Sequence, residues 1–186
     1  MLPGDIIGFS GRGFLSDLIN VATYGVPRYG LSHVGIIGEW RDELYLFEST
    51  TLDDEECAIL GKRINGVQAH PIERRITNYD GKVWHYPLCR ELSQDESLSL
   101  SGFLFWALGL PYDNIGAFRS GGLGFSFVES LLRPANLSSI YCSELAAAAH
   151  HHIGRLKTYN VSRFNPNRFV RLETRKGIIR RPQRLK

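Results

Sequence analysis

The sequence predicts a small protein of the α+β class, and three observations carry this prediction. Short runs rich in apolar and β-branched residues recur along the first half of the chain and are typical of strands. Ser93 and Glu96, three residues apart, match a capping box that begins a helix. Leu145 and the four alanines 146–149 form the strongest helix-forming run, and Gly154 is a good stop. The 186 residues suffice for one sizeable core.

The predicted strands include a hairpin. Strands are expected at residues 4–9, 33–38, 44–49, 67–72, 82–88 and 168–172. Asp42-Glu43 is the expected hairpin turn, and the returning strand brings Glu48 towards His33. Antiparallel neighbours on one face have Cβ atoms roughly 5 Å apart, so a hydrogen bond between the two side chains is reasonable. The exact register is left open by the sequence.

Helices are expected at 14–23, at 94–108, near 128–132 and after Ser138-Ser139. The last of these places Cys142 at or just before the first turn. There the partial positive charge of a helix favours a thiolate, and the unpaired N–H groups can hold an oxyanion. Residues 50–66 and 114–137 are expected to be loops. The three consecutive histidines 150–152 are expected to have a solvated or capping role near the helix C-terminus, where a positive charge is favoured.

Charge divides the chain unevenly. The whole sequence carries 22 basic and 19 acidic residues, for a formal net charge of +3. Six of the basic residues lie in 174–186, so residues 1–173 keep 16 and carry a net −3. We therefore expect one domain over 1–173 and a basic C-terminal tail over 174–186. Such a tail is suited to nucleic acid or anionic lipid, and a solvated terminus without a partner is equally open.

Several classes of protein are disfavoured. No run approaches the roughly 18 apolar residues that span a bilayer, and the first residues do not resemble a signal peptide. We expect a chain that is cytoplasmic at synthesis, with later release or particle association left open. Cys57, Cys89 and Cys142 form no CxxC pair, which argues against a disulfide framework or a zinc ribbon. We expect a monomer that needs no cofactor or metal ion.

Three residue types needed for cysteine catalysis are present. A thiol nucleophile, Cys142, needs a base such as His33 to take its proton. The histidine in turn needs an acceptor on its other ring nitrogen, and Glu48 is the candidate. Spacing alone leaves open whether the hairpin packs against the Cys142 helix. A core cysteine is the competing interpretation.

Five motifs in order resemble the circularly permuted branch of the NlpC/P60 superfamily. This branch includes the YiiX/YaeF-type amidases and, more distantly, lecithin:retinol acyltransferase. The motifs span residues 3–172, and they are Gly4-Asp5-Ile6-Ile7, Ser32-His33-Val34-Gly35-Ile36, Phe47-Glu48-Ser49, Gly109-Leu110-Pro111-Tyr112-Asp113 and Tyr141-Cys142-Ser143-Glu144-Leu145.

The resemblance implies a permuted papain-like fold, in which an antiparallel sheet packs against the nucleophile helix. It implies Cys142 as nucleophile, His33 as base and Glu48 as the third, polar member of a triad. Tyr141, Ser143 and Tyr112 are tentative residues of the substrate or oxyanion site. The absence of an export signal, the basic tail and the glycine-rich stretch 116–124 depart from the family pattern.

The leading hypothesis is a cysteine peptidase or amidase that cleaves a peptide or acyl-amide bond through a thioester. Cell-wall peptide from peptidoglycan is the superfamily's commonest substrate class. Two alternatives stay open. One is an acyltransferase or thioesterase acting on lipid or acyl substrates. The other is a non-catalytic binding module that uses the basic tail.

Overall fold

A six-stranded antiparallel sheet organises the molecule, in the strand order β4-β3-β2-β1-β5-β6. The computed structural model describes residues 1–11, 30–50, 55–111, 137–157 and 164–186, and only the backbone of 137–141. The strands are β1 (Ile6–Gly11), β2 (His33–Trp40), β3 (Glu43–Thr50), β4 (Gly66–Pro71), β5 (Gly81–Tyr86) and β6 (Gln183–Arg184). The helices are α1 (Ile72–Asn78), α2 (Gln94–Ala107), α3 (Leu137–His152) and α4 (Pro166–Arg175). The predicted α+β class is confirmed.

Both faces of the sheet are covered, because residues alternate between faces along each strand. The larger core joins Ile6, Ile36 and Phe47 to the buried faces of α2, α3 and α4. The smaller core joins Phe9 and Leu46 of the opposite face to residues of α1. None of the helices described here is both long and apolar enough to cross a membrane.

The hairpin between β2 and β3 sets the register on which the candidate site depends. Its turn is Arg41-Asp42, with φ of 53° and 63°, one residue before the predicted turn. Two consecutive positive φ angles are typical of a type I′ turn, whose twist matches that of the flanking strands. The turn pairs Trp40 with Glu43, and the ladder continues to Ile36 opposite Phe47.

The predicted capping box is confirmed, whereas the predicted start of the Cys142 helix is wrong. The Ser93 hydroxyl accepts from the Glu96 N–H at 3.2 Å, and the Ser93 N–H donates to the Glu96 carboxylate at 2.8 Å. Helix α3 begins at Leu137 rather than after Ser138-Ser139. Cys142 therefore lies in the second turn, where an N–H is bonded within the helix. Ser138 and Ser139 therefore lie inside the helix rather than capping it.

Two short helices differ from the prediction. The strand expected at 168–172 is wrong, since these residues lie inside α4. The Asn165 side chain caps α4 and Pro166 occupies its first turn, a helix-start signature that the apolar alternation obscured. Helix α1 was not predicted, because seven residues with β-branched Ile and Thr carry little helical signal. The helices expected at 14–23 and 128–132 lie outside the described residues.

The basic residues after α4 are anchored to the sheet. Residues Gln183 and Arg184 form β6 and pair with His85 and Trp84 of β5. The Lys186 ammonium donates to the backbone carbonyl oxygens of Thr77 and Tyr79, at 2.9 and 2.5 Å. The side chains of Arg180, Arg181 and Arg184 are exposed beside this strand.

His150 is buried, which makes the expectation of a solvated histidine wrong at this position. Its Nδ1 lies 2.7 and 2.9 Å from the two carboxylate oxygens of Glu173, and its Nε2 lies 2.8 Å from the Gly4 carbonyl oxygen. A carboxylate and a carbonyl only accept, so both ring nitrogens carry protons. His150 is thus an imidazolium that joins α3, α4 and the turn before β1. Burial opposes this charge, but Glu173 outweighs burial and raises the pKa of His150 above 6.5.

Glu173→Gln should lower the free energy of unfolding by about 3–5 kcal/mol near pH 6, because it leaves a buried imidazolium without its counter-charge. The pKa of His150 is raised in the folded state, so the pair stabilises fully below pH 6.5 and loses its effect as pH rises through the folded-state pKa. The measurement is urea unfolding of wild type and variant from pH 6 to 10. The difference should shrink with pH.

The exposed neighbour His151 provides the control, since His151→Gln leaves the Glu173 pair intact. A stability difference between wild type and Glu173→Gln that stays constant across this range would contradict an imidazolium at His150.

Candidate active site

His33 and Glu48 are joined by a short hydrogen bond on the face of the sheet that α1 covers. His33 Nε2 lies 2.6 Å from Glu48 Oε2. Continuing the ladder one pair beyond Ile36 and Phe47 places Gly35 opposite Glu48. Gly35 packs closely against the neighbouring strand β3. A Cβ there would lie 2.8 Å from the Leu46 side chain. The contact expected from the hairpin is therefore present.

Glu48 also binds Arg75, which sequence reasoning missed. Arg75 Nε donates to Glu48 Oε1 at 2.5 Å, and Nη2 donates to Oε2 at 3.2 Å. The Glu48 side chain is fully buried, and that of Arg75 is 16% exposed. Arg75 lies on α1, whose existence the sequence did not signal, so no pattern linked it to Glu48.

Cys142 is the second partner of His33. A side-chain hydrogen bond joins the Cys142 sulfur to the His33 ring. Glu48, being a carboxylate, only accepts, so it requires a proton on Nε2 of His33 and leaves Nδ1 for the sulfur. His33 is the first residue of β2. At this end of the strand, a ring that lies on one face of the sheet can reach a helix that packs on the other face. The structure thus brings the three predicted triad residues together.

The electrostatics favour a charged histidine. Burial alone would lower the pKa of His33, but the charge and hydrogen bond of Cys142, followed by those of Glu48, raise it from 6.5 to about 10. Burial would likewise raise the pKa of Glu48, but Arg75 and His33 lower it to about 2. Glu48 is consequently ionised across the neutral range, and His33 is positively charged when the thiol has lost its proton.

The surroundings of Cys142 differ from those expected. Its side chain is fully buried in the larger core, whereas the His33 side chain is 17% exposed. Cys142 lies in the second turn of α3, where its own N–H is bonded within the helix. The structure offers His33 as a group beside the sulfur that stabilises a thiolate.

Of the three tentative pocket residues, the structure describes the side chain of Ser143 alone. Ser143 is buried, and its hydroxyl donates to the backbone carbonyl oxygen of Phe164, just before α4. This contact ties α3 to α4 and does not favour a role for the hydroxyl in an oxyanion site. Tyr112 and the side chain of Tyr141 lie outside the described residues.

Comparison with known proteins identifies a structural relative. The chain is similar to the crystal structure of the metalloprotein yiiX (DUF1105) from Escherichia coli O157:H7, with a TM-score of 0.54 and 23% sequence identity. The alignment covers 95% of this chain and 82% of yiiX. No protein-family model matches the sequence, and neither does any curated protein. The class of protein that the fold defines is therefore a YiiX-like α+β protein.

The side chains that the structure describes do not form a metal centre. Within the part of the chain that the structure describes, no three His, Cys, Asp or Glu side chains are grouped so as to hold an ion. At the Cys142–His33–Glu48 cluster, both carboxylate oxygens already accept hydrogen bonds from cationic groups. The Arg75 guanidinium, 2.5 Å from Oε1, would repel a divalent cation approaching Glu48.

The pKa of His33 should be measurably high and should depend on Cys142. In the wild type we expect the ring to titrate near pH 10, as the Cys142 and Glu48 contacts imply. Cys142→Ala removes the group that does most to raise this pKa, so the ring of the variant should titrate at a lower pH. The measurement is NMR of histidine-labelled protein, with Cys57→Ala as a matched control that removes another buried thiol. Titration near pH 6.5 in all three proteins would contradict the charged pair.

Removal of metal should leave the protein's thermal stability unchanged. Dialysis against EDTA, followed by addition of Zn²⁺, should move the melting temperature by no more than the experimental error. The physical reason is that Arg75 already neutralises the carboxylate that a metal ion would need. A drop of several degrees with EDTA that Zn²⁺ reverses would instead reveal a structural metal site.

Proposed function

We propose that this protein is a cysteine hydrolase that cleaves an amide bond, of a peptide or an acyl-amide, through a thioester at Cys142. The observation that carries the proposal is His33, held between the Cys142 sulfur and the Glu48 carboxylate. A nucleophile, a base and an orienting acceptor in this order are what thiol acyl transfer requires.

The proposed reaction uses each group in turn. His33 takes the proton of Cys142, and the thiolate attacks the substrate carbonyl carbon. The tetrahedral intermediate collapses as the C–N bond breaks and His33 gives its proton to the leaving amine, which leaves a thioester on Cys142. His33 then takes a proton from a water molecule that attacks the thioester carbonyl carbon. The C–S bond breaks, the product acid leaves, and His33 returns the proton to the Cys142 sulfur. Glu48 keeps the ring oriented throughout.

Two lines of evidence favour the amidase class. The order of motifs resembles the permuted NlpC/P60 branch, and the fold resembles that of yiiX, a protein of the YiiX/YaeF type. We propose membership of this branch on that combined basis. Peptides related to the cell wall are the first substrates to test, because they are the commonest class in the superfamily.

A buried core cysteine is the competing explanation, and the chain contains its own controls. Cys57 is a fully buried thiol, and its sulfur accepts a hydrogen bond from the Ala69 N–H at 3.4 Å. Cys89 is exposed. Cys57 therefore reports what burial alone does to a thiol, and Cys89 reports the reagent's reactivity with an accessible thiol.

The deciding experiment is the alkylation rate of each cysteine by iodoacetamide between pH 4 and 10, resolved by peptide mass spectrometry. We expect Cys142 to be alkylated at pH 6, where an ordinary thiol, with a pKa of about 8.5, reacts slowly. His33→Ala should slow this reaction on the order of 100-fold, because it removes the group that takes the thiol proton.

If Cys142 is as unreactive as Cys57 in folded protein, the proposal fails and the cysteine belongs to the core. If Cys142 is reactive, incubation with acyl-amide and peptide substrates and an amine acceptor separates the enzymatic alternatives. Release of free acid supports hydrolysis, whereas transfer of the acyl group to the amine supports an acyltransferase.

A further inference from the structure

Arg75 lies on the far side of Glu48 from His33 and Cys142. We infer that Arg75 is a positioning residue for the proposed reaction: it fixes the Glu48 carboxylate, and through it the ring that faces the thiol. The inference rests on the proposed function, since it assigns a role to Arg75 in the same site.

Arg75 binds Glu48 as a fork, through two hydrogen bonds rather than through charge alone. Two guanidinium nitrogens of Arg75 contact the two oxygens of Glu48, at 2.5 and 3.2 Å. One of these oxygens, Oε2, also accepts from His33 at 2.6 Å. A paired contact of this kind fixes the plane of a carboxylate, which a lone hydrogen bond leaves free to rotate. The lone-pair direction that His33 uses is therefore set by Arg75.

Arg75 is itself held by aromatic rings. Its guanidinium carbon lies 5.1 Å from the centroid of Phe9 and 5.7 Å from that of Tyr79. The Phe9 ring also contacts His33, with the ring centroids 5.7 Å apart. Tyr79 hydrogen-bonds the Ser32 side chain, beside His33 in the chain. Phe9 of β1 and Tyr79, which directly follows α1, thus support both His33 and Arg75.

Charges alternate along this row of side chains. A Cys142 thiolate is followed by the His33 imidazolium, the Glu48 carboxylate and the Arg75 guanidinium. The other polar groups around Glu48 are Gln68, directly opposite it on β4, His70 two residues further along β4, and Tyr79, which directly follows α1. Without Arg75, the buried Glu48 carboxylate would lose its fork and a positive charge would leave the row. Both changes make the thiolate harder to form.

The test compares the pH at which Cys142 becomes reactive in variants of Arg75. Arg75→Met should move the midpoint of the acidic limb of the alkylation profile upward by roughly half a pH unit or more. Arg75→Lys keeps the charge but not the fork, so it should shift the midpoint by a smaller amount. The matched control is Arg74→Met, one residue earlier on α1, where the side chain is 64% exposed and lies near Glu55.

A merely structural arginine would give a different pattern. It would lower the melting temperature of Arg75→Met while leaving the alkylation midpoint where it is in wild type. An unshifted midpoint in folded Arg75→Met overturns the inference. If Arg75→Met does not fold, the same conclusion follows from an unshifted Arg75→Lys.

A double-mutant cycle with Glu48→Gln tests whether Arg75 acts through Glu48. Arg75→Met should shift the midpoint less in the Glu48→Gln background than in wild type, because only the charge effect remains there, and a full shift in that background overturns the inference. The proposed function fails separately: wild-type Cys142 would then lack reactivity at low pH, before any arginine variant is considered.

Discussion

The arrangement depends on a buried carboxylate that is shared by two cations. Glu48 has no exposed side-chain surface, and an unpaired charge in such a place would be strongly destabilising. His33 and Arg75 remove that penalty from opposite sides, one from β2 and the other from α1. The register of the hairpin and the docking of α1 are both needed for the two contacts to form at once. The need to pair the buried charge of Glu48 therefore connects the packing of the smaller core to the geometry of the candidate active site.

Other histidine–carboxylate pairs in the described chain show that such a pair is not by itself a functional signal. His85 Nε2 lies 2.7 Å from Asp5, which also accepts from the Leu88 N–H at 2.8 Å and so fastens the turn before β1. His150 and Glu173 fasten α3 to α4. The second ring nitrogen of His150 binds the Gly4 carbonyl oxygen, and Asp5 binds backbone N–H groups in addition to His85. His33 differs because its second partner is a thiol, a group that can exchange a proton with the ring and attack a carbonyl.

The position of Cys142 in α3 changes the physical account of its reactivity. A cysteine at a helix start gains thiolate stability from the helix itself. In the second turn, the N–H of Cys142 is bonded within the helix, and the imidazolium of His33 is the group beside the sulfur that can supply that stabilisation. For the proposed reaction that N–H is already used, and the Ser143 hydroxyl already joins α3 to Phe164.

Local patterns determined the hairpin, the capping box of α2, the helical run 145–149 and the choice of Cys142, His33 and Glu48 as partners. These features depend on residues close in sequence or on residue chemistry, which a single chain displays directly. The tertiary structure decided what depends on distant contacts. Helix α1 is short and gains its stability by packing Ile72 and Ile76 on the sheet, so Arg75 was not predictable. His150 looks like a solvated histidine in sequence, and only the approach of Glu173, 23 residues later, and of Gly4, 146 residues earlier, makes it a buried cation.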